Sequence, residues 1–320
     1  MSEGTIGLHV LERDAAAVVE AIVRYEQAGV PAVWLTTGGA APDGLTVLAA
    51  AAARTTRILF GTSIMPLLQR HPIVMAAQTA VVAQLAPGRI RLGVGPSHKP
   101  AVEAMYGTPF EKPLGHLREY LTVLRATLNE GAVEFDGKHY HAHARLPAPL
   151  SAPVPVMASA LRPNAFRLCG ELADGAITWV CPLEYVRDVA VPAVRAGAAA
   201  AGRAAPPVIA HVPVCVSTDT AAVRAAARQQ LAVYPRLPYY SQMFVDAGYP
   251  GAAQGEWSDE MVDAVVAHGD EQAVAARLRA FLAAGAGEII ATPIPVGDDR
   301  RASNDRAAAL LADLAKSPAR

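Results

Sequence analysis

The stretch ILFGTSI, residues 58–64, carries no charged side chain and no alternation of polar and apolar residues. An unbroken run of this length is typical of a strand buried on both faces, as in a parallel sheet. The next apolar segment, 72–85, is rich in alanine and begins with Pro72, at a first helical position where the missing N–H costs nothing. This part of the chain therefore predicts a strand followed by a helix.

The same strand–helix unit recurs along the whole chain. Short apolar, β-branched runs alternate with alanine-rich helical segments, and the predicted strands number eight: 6–10, 32–36, 58–64, 90–94, 154–159, 176–180, 208–216 and 288–293. Eight such units in 320 residues predict an α/β protein, a single (β/α)8 TIM barrel spanning residues 1–320. Two segments exceed the repeat and are predicted insertions: a hairpin with a proline-rich linker at about 132–153, and an aromatic segment at about 234–257.

The competing architecture is a doubly wound nucleotide-binding sheet. That fold requires a GxGxxG turn after an early strand. The nearest match is Gly93-Val94-Gly95, which continues as Pro96-Ser97-His98 and lacks the third glycine. The barrel is therefore favoured.

Composition narrows the functional classes. The chain is 52% hydrophobic and 18% charged, with a net charge of −1, so it has no electrostatic attraction for a nucleic acid. Three cysteines without a CxxC motif indicate neither a disulfide framework nor a zinc site. The first residues lack the pattern of a signal peptide, and the longest uncharged segment, 71–88, contains polar residues and prolines. We expect a cytoplasmic protein without a membrane span.

In a barrel of this kind, chemistry lies at the carboxyl ends of the strands. Three strand ends are distinctive: GTSIMPLLQRHP (61–72), RIRLGVGPSHKPAVEAMYG (89–107) and PVMASALRPNAFRLCGELADGAI (155–177). Together with EYLTVLRATL (119–128), they resemble the bacterial luciferase-like superfamily. The stretch GVGPSHKPAVEAMYG (93–107) is most similar to the branch that uses the deazaflavin coenzyme F420.

This resemblance implies an oxidoreductase on a (β/α)8 barrel. It implies hydride transfer between C5 of F420 and a C=C, C=N or C=O group of a small organic substrate. Two alternatives stay open: an FMN-dependent monooxygenase, and a non-catalytic protein that binds F420.

The resemblance also implies where the cofactor binds. It places a non-proline cis peptide near Ser63-Ile64, behind the flat ring. Gly95 would allow close approach because a Cβ would intrude, and Arg162 would add a charge for the phosphodiester at the start of a helix. The predicted cofactor residues are Thr36, Thr37, Thr62, Ser63, Ile64, Gly95, Pro96, Ser97, Ala158, Ser159, Leu161, Arg162, Asn164 and Ala165.

Proton transfer is assigned to histidines. Related sugar-phosphate dehydrogenases carry a glutamate near the position of His98, and an acidic residue and a histidine where this chain has Thr36 and Thr37. Those differences argue against the same substrate. We predict His98 as the first candidate for proton transfer and His9, at the end of the first strand, as the second.

An aromatic wall is predicted for the substrate. Trp179 ends the sixth strand and Tyr240 lies in the second insertion, where aromatic residues broken by proline and glycine suit a lid. A local hydrophobic minicore is the alternative for that insertion. His211, in the seventh strand, is either functional or buried in the barrel.

The hairpin carries three alternating histidines, His139, His141 and His143. Such spacing is compatible with a metal, but no acidic or cysteine residue is interleaved, so we predict a solvated strand face and no metal site.

The helix predicted at 72–85 is apolar on two sides. One face, 73, 74, 77, 81 and 85, is expected to pack on the barrel, and a second face of Ala76, Ala80 and Ala83 is left over. A helix apolar on two sides is buried on two sides. The resemblance implies that such outer helices form a dimer, so we expect a homodimer.

Overall fold

Eight parallel strands close into a barrel in the computed structural model, which describes residues 4–297 and 299–316. The strands are β1 (Thr5–His9), β2 (Ala32–Leu35), β3 (Leu59–Thr62), β4 (Ile90–Gly95), β5 (Val156–Ser159), β6 (Ala176–Ile177), β7 (Val208–Val216) and β8 (Ala286–Pro293). Each strand pairs with the next one in the chain, and β8 pairs with β1. The prediction of a (β/α)8 barrel is confirmed.

The barrel interior is organised around Trp34 of β2, which is fully buried. It packs with Met157, Ile177, Ile209 and Ile290, one residue from each of four other strands. A Cβ atom on Gly61 would lie 2.2 Å from the indole ring, so the absent side chain of β3 makes space for this tryptophan.

A buried ion pair lies beside this tryptophan. Arg91 of β4 donates to Glu288 of β8, and its guanidinium carbon lies 4.3 Å from the Trp34 ring centroid. The burial raises the pKa of Glu288, and the facing arginine opposes that rise.

Helices fill the connections outside the barrel. Local signals explain several ends: the Asp14 carboxylate accepts from the Ala17 N–H at 3.0 Å, and Gly29 terminates the first helix with a φ of 92°. The α-helices are Ala15–Ala28, Gly44–Ala52, Pro72–Leu85, Lys99–Tyr106, Pro113–Arg125, Pro163–Leu172, Leu183–Tyr185, Val191–Ala200, Thr220–Gln230, Pro238–Asp246, Asp259–Val265, Glu271–Ala283 and Arg300–Lys316. Ala126–Glu130 and Val186–Ala190 are π-helical, and Tyr234–Arg236 and Pro250–Gln254 are 3-10 turns.

The two predicted insertions contain structure of their own. The first holds an antiparallel hairpin, Ala132–Asp136 with His141–Arg145. The second holds helix Pro238–Asp246 between the two 3-10 turns. Two short strands were not predicted: Met65–Pro66, which pairs with β4, and Ala267–Gly269, which pairs with β7 outside the barrel.

Helix Pro72–Leu85 reverses the predicted orientation. Its buried face includes Met75, Ala76, Thr79, Ala80, Val82 and Ala83. Val74, Val81 and Leu85, which were expected to face the barrel, are each 49% exposed. The expectation was wrong because both faces of this helix are apolar, and tertiary packing buries the face that carries Ala76, Ala80 and Ala83. The larger aliphatic residues form an outer stripe.

Two further observations concern the described residues. None of their helices is long and apolar enough to cross a membrane. Cys169, Cys181 and Cys215 are all buried free thiols.

Candidate active site

A hydrogen-bonded chain joins the ends of the first three strands. His9 Nε2 lies 3.0 Å from the Thr36 hydroxyl, which donates to the Ser63 carbonyl at 2.7 Å. The Thr36 hydroxyl has one proton and donates it to that carbonyl, so it can only accept a hydrogen bond from His9. His9 Nε2 therefore carries a proton and is the donor to Thr36. Burial lowers the pKa of His9 to about 4. His9 is therefore neutral at pH 7, with an acceptor lone pair on Nδ1, and that buried atom makes no hydrogen bond within the described residues.

The peptide bond between Ser63 and Ile64 is cis, as the resemblance implied. Ser63 is only 8% exposed, and its hydroxyl is buried without a hydrogen-bond partner in the part of the chain that the structure describes. Ile64 beside it is partly exposed. A buried hydroxyl without a partner carries an energetic cost that a bound polar group would remove.

The hydroxyls of Thr62 and Thr37 already have protein partners. Thr62 Oγ1 accepts from the Gly93 N–H and donates to the Gly93 carbonyl, both at 2.8 Å, and so ties β3 to β4. Thr37 Oγ1 accepts from the Gly44 N–H at 3.0 Å, at the start of a helix. Cofactor binding by either threonine stays a prediction.

Gly95, at the end of β4, is required by its neighbours. A Cβ atom there would lie 2.1 Å from Ser159 Oγ and 3.2 Å from Ile64 Cγ1. The structure thus brings together three predicted cofactor residues from three different strand ends. After Pro96, Ser97 adopts a left-handed φ of 64°, which turns the chain towards His98.

The predicted phosphate helix is present as Pro163–Leu172, with Arg162 as its N-terminal flanking residue. Arg162 Nη1 lies 2.7 Å from Asp246 Oδ2, a carboxylate of the second insertion that the sequence did not single out. Around it, Ala158 is buried, Leu161 and Ala165 are partly exposed, and the exposed Asn164 accepts from Arg167 at 3.0 Å. The Leu161 carbonyl accepts from the Tyr185 hydroxyl at 3.0 Å.

Six rings form an arc at the carboxyl ends of the barrel strands, the region we call the mouth. We call these rings the aromatic arc; in order of contact they are His9, His211, Trp179, Tyr234, Tyr240 and His98. Successive ring centroids are 5.3, 4.3, 5.8, 4.9 and 5.6 Å apart. The arc thus contains both histidines and both substrate residues predicted from the sequence. It links them through Tyr234 and His211.

Tyr234 was not predicted as a site residue from the sequence, and His211 was left as either functional or buried in the barrel. The Nε2 atom of His211 lies 2.5 Å from the Thr292 hydroxyl, across from β7 to β8. Tyr234 begins a short turn and contacts both Trp179 and His98. Its place in the aromatic insertion was the available signal.

The second insertion contributes a ring to the aromatic arc and also forms a local minicore, while its role as a lid stays a prediction. Tyr240 joins the arc, whereas Phe244 packs edge-on against Trp257 at 5.2 Å and against Tyr249 at 6.4 Å. The Trp257 N–H donates to the Leu231 carbonyl at 2.8 Å. A local minicore therefore supports the part of the segment that faces the mouth.

The hairpin histidines have partners outside the aromatic arc. Strand pairing sets His141 opposite Asp136 and His143 opposite Glu134, so acidic partners come from the facing strand. Glu134 and Asp136 raise the pKa of His143. His139 precedes the strand and stacks on His116 at 3.9 Å. No group of three or more possible metal ligands occurs among the residues described.

A polar groove of about 1290 Å³ lies behind the ends of β1 and β8. Its charges include ion pairs: Arg24 is 3.8 Å from Glu12 and 3.9 Å from Asp305. None of the predicted site residues lines it.

The fold and the strand-end site define the class, a (β/α)8 barrel whose chemistry lies at the carboxyl ends of its strands. The sequence model of the family described as luciferase-like monooxygenase matches residues 2–288, and the chain belongs to that family.

Curated relatives carry related names. An F420-dependent glucose-6-phosphate dehydrogenase of Beutenbergia cavernae is 37% identical over 198 residues, which are 57% of this chain and 58% of that protein. The chain thus spans a little over half the length of this relative. An uncharacterised protein of Mycobacterium tuberculosis is 30% identical over 295 residues, covering 82% of this chain and 86% of that protein.

Solved structures share the fold. The F420-dependent tetrahydromethanopterin reductase of Methanopyrus kandleri superposes with a TM-score of 0.77 at 23% identity, covering 96% of this chain and 98% of that one. An F420-dependent secondary alcohol dehydrogenase gives 0.80 at 17% identity, with coverage of 97% and 98%. A type II Baeyer-Villiger monooxygenase of Pseudomonas putida, solved with FMN, gives 0.73 at 16% identity, with coverage of 99% and 98%.

Proposed function

We propose that this protein is an F420-dependent oxidoreductase that transfers hydride between F420 and a small organic substrate. The observation that carries the proposal is the Ser63 hydroxyl, buried and without a partner among the described residues, next to the cis peptide and the partly exposed Ile64. A flat heterocycle with polar edges fits such a site. The relatives named for F420 support the choice of cofactor.

The residues that would hold the cofactor surround that point. Ser63, Ser97 and Ser159 would offer hydroxyls to its polar edges, with Ile64 packed behind the ring and Gly95 keeping Ser159 close. Arg162 and the start of helix Pro163–Leu172 would take the phosphodiester. When bound, F420 supplies or accepts a hydride at C5 of its deazaflavin.

His9 would move the proton. For a pair of alcohol and carbonyl substrates, the hydroxyl proton passes to the Nδ1 lone pair during oxidation and returns from Nδ1 during reduction. A neutral imidazole with its other nitrogen held by Thr36 is oriented for this task. The structure favours His9 over His98, because the described residues give the His98 ring no hydrogen bond comparable to the one that orients His9.

Equilibrium titration of the purified protein with F420, and separately with FMN, tests the proposal. Binding of F420 at least about tenfold tighter than FMN, a difference of about 1.4 kcal/mol, supports it. Preference for FMN would instead favour an FMN-dependent monooxygenase. The Baeyer-Villiger monooxygenase solved with FMN, which has a similar fold, supports this alternative. Tight F420 binding with no turnover of any hydride acceptor would indicate a non-catalytic F420-binding protein.

We also propose that the protein is a homodimer. The outer stripe of helix Pro72–Leu85, formed by Val74, Val81 and Leu85, runs along one face at helical spacing. A second copy presenting the same stripe would bury it in an isologous contact.

A further inference from the structure

The aromatic arc encloses the mouth with neutral groups. Burial alone lowers the pKa of His98, as it does for His9, and no charged side chain of the described residues shifts either value. Burial also lowers the pKa of His211, and the neighbouring His9 lowers it further. For Tyr240, burial raises the pKa, with smaller effects from Tyr234 and Cys181. All these groups are uncharged at pH 7.

Two cations of the strand-end segments, Arg162 and Lys99, each have an acidic partner. Arg162 is paired with Asp246 at 2.7 Å. Lys99, which follows His98 directly, is largely exposed and lies 3.9 Å from Glu103 on its own helix. Neither cation belongs to the arc.

A phosphorylated substrate would be a poor match for such a wall. Taking a dianion out of water requires cationic or strongly donating partners, and the faces of aromatic rings carry negative quadrupole density that repels an anion. An apolar or flat neutral body, by contrast, gains from stacking and from burial of its surface on these rings.

We propose that the substrate is an uncharged compound with an apolar or planar body and a single polar group, a carbonyl or a hydroxyl, and not a sugar phosphate. The rings of Trp179, Tyr234 and Tyr240 hold the body, and the polar group meets His9. This inference rests on the proposed function only in naming the reaction that follows binding.

Saturation-transfer NMR on the whole protein tests binding without relying on turnover. The probes are cyclohex-2-enone and glucose 6-phosphate, each recorded with and without F420. We expect saturation transfer to the enone and at least about tenfold weaker binding of glucose 6-phosphate. Equal or tighter binding of glucose 6-phosphate, or no transfer to the enone, would overturn the inference.

Variants of one helix locate the binding site. Tyr240→Ala should abolish the transfer to the enone, while Tyr240→Phe, which keeps the ring, should retain it. Tyr239→Ala is the matched control, because that neighbouring side chain is 60% exposed and lies outside the arc. If all three variants bind the enone as the parent does, the arc is not its site.

The F420 titration on the same sample separates the two proposals. Enone binding without F420 binding would refute the cofactor and leave the substrate class standing. F420 binding without enone binding would refute the substrate class alone.

Discussion

The state of His9 is decided by two hydrogen bonds from residues far away in the sequence. Thr36 is 27 positions away, and its hydroxyl proton is committed to the Ser63 carbonyl. Those contacts select the Nε2–H tautomer and leave Nδ1 as the acceptor. Sequence position alone placed His9 near the mouth but gave no reason to prefer one nitrogen.

His9 should make the protein less stable in mild acid. Burial lowers its pKa in the folded chain to about 4 from the usual 6.5, so between these values the unfolded chain binds a proton and the folded chain does not. The free energy of unfolding therefore falls as the pH drops through this window, by up to about 1.4 kcal/mol per pH unit from this group.

Urea unfolding between pH 7 and 4.5 measures this effect. A His9→Asn variant removes the titrating group and should show a shallower loss of stability than the parent. Parallel pH curves for the two proteins would contradict the assignment, because carboxylates contribute equally to both.

Thr36 is a positioning residue, and its substitution should change catalysis through His9. Thr36→Val removes the acceptor for His9 Nε2, frees the tautomer and should lower kcat by about 10- to 100-fold. The pH dependence of kcat should shift with it. Thr36→Ser keeps the hydroxyl and should retain the parent kcat and its pH dependence. An unaltered pH profile in Thr36→Val would contradict the positioning role of Thr36.

At the scale of secondary-structure elements, β2 and β3 depend on each other through one glycine. The ring of Trp34 occupies the space where a side chain on Gly61 would lie. The interior of a protein is close-packed, so even one methyl group added here must displace the indole or the backbone.

Gly61→Ala should therefore destabilise the fold by about 1–3 kcal/mol or more. Gly251→Ala is the control, since nothing lies within 4 Å of a Cβ placed there. Chemical denaturation followed by circular dichroism compares the two. A loss below about 0.5 kcal/mol in Gly61→Ala would show that the barrel adjusts freely.

The ion pair between Arg162 and Asp246 links the phosphate helix to the second insertion. Because Asp246 competes for the same guanidinium, Asp246→Asn should tighten F420 binding by about 2- to 5-fold, the range expected for a partly exposed ion pair. Arg162→Ala should weaken binding by about tenfold or more.

Fluorescence titration with F420 measures both changes. Arg187→Ala is the control, because that side chain is exposed and its ion pair is with Asp188. Equal affinity in Arg162→Ala and in the parent would remove Arg162 from the cofactor site.

At the scale of the whole molecule, the outer stripe of helix Pro72–Leu85 is the feature that barrel closure leaves unexplained. Val81→Glu places a charge in the centre of this stripe and should convert a dimer into a monomer at micromolar concentration, because burying an unpaired carboxylate is costly.

Light scattering coupled to size exclusion gives the mass directly. Gln229→Glu, at an exposed position of helix Thr220–Gln230, adds the same charge on another helix and should stay dimeric. A parent protein that runs as a monomer would refute the dimer.

The repeated apolar runs and alanine-rich segments of the sequence predicted the barrel. Seven of the eight predicted strands end within two residues of the observed ends, because buried parallel strands carry apolar runs that need no knowledge of their partners. The exception is β6, predicted as 176–180 but paired only over Ala176–Ile177, before the chain turns at Val180 with a φ of 45°. The predicted orientation of helix Pro72–Leu85 was wrong, since both of its faces are apolar and the sequence does not show which of them faces the barrel.

The strand ends that carry polar and aromatic residues could also be found from the linear sequence. How these residues combine depends on the folded chain: the tautomer of His9, the pairing of Arg162 with Asp246, and the arc through Tyr234 and His211. The contacts between His9 and Thr36 and between Arg162 and Asp246 join residues that are 27 and 84 positions apart, and a linear pattern records neither distance nor direction between such groups. The chemistry of the mouth is therefore a property of barrel closure, which brings separate strand ends within hydrogen-bonding and ring-contact distance.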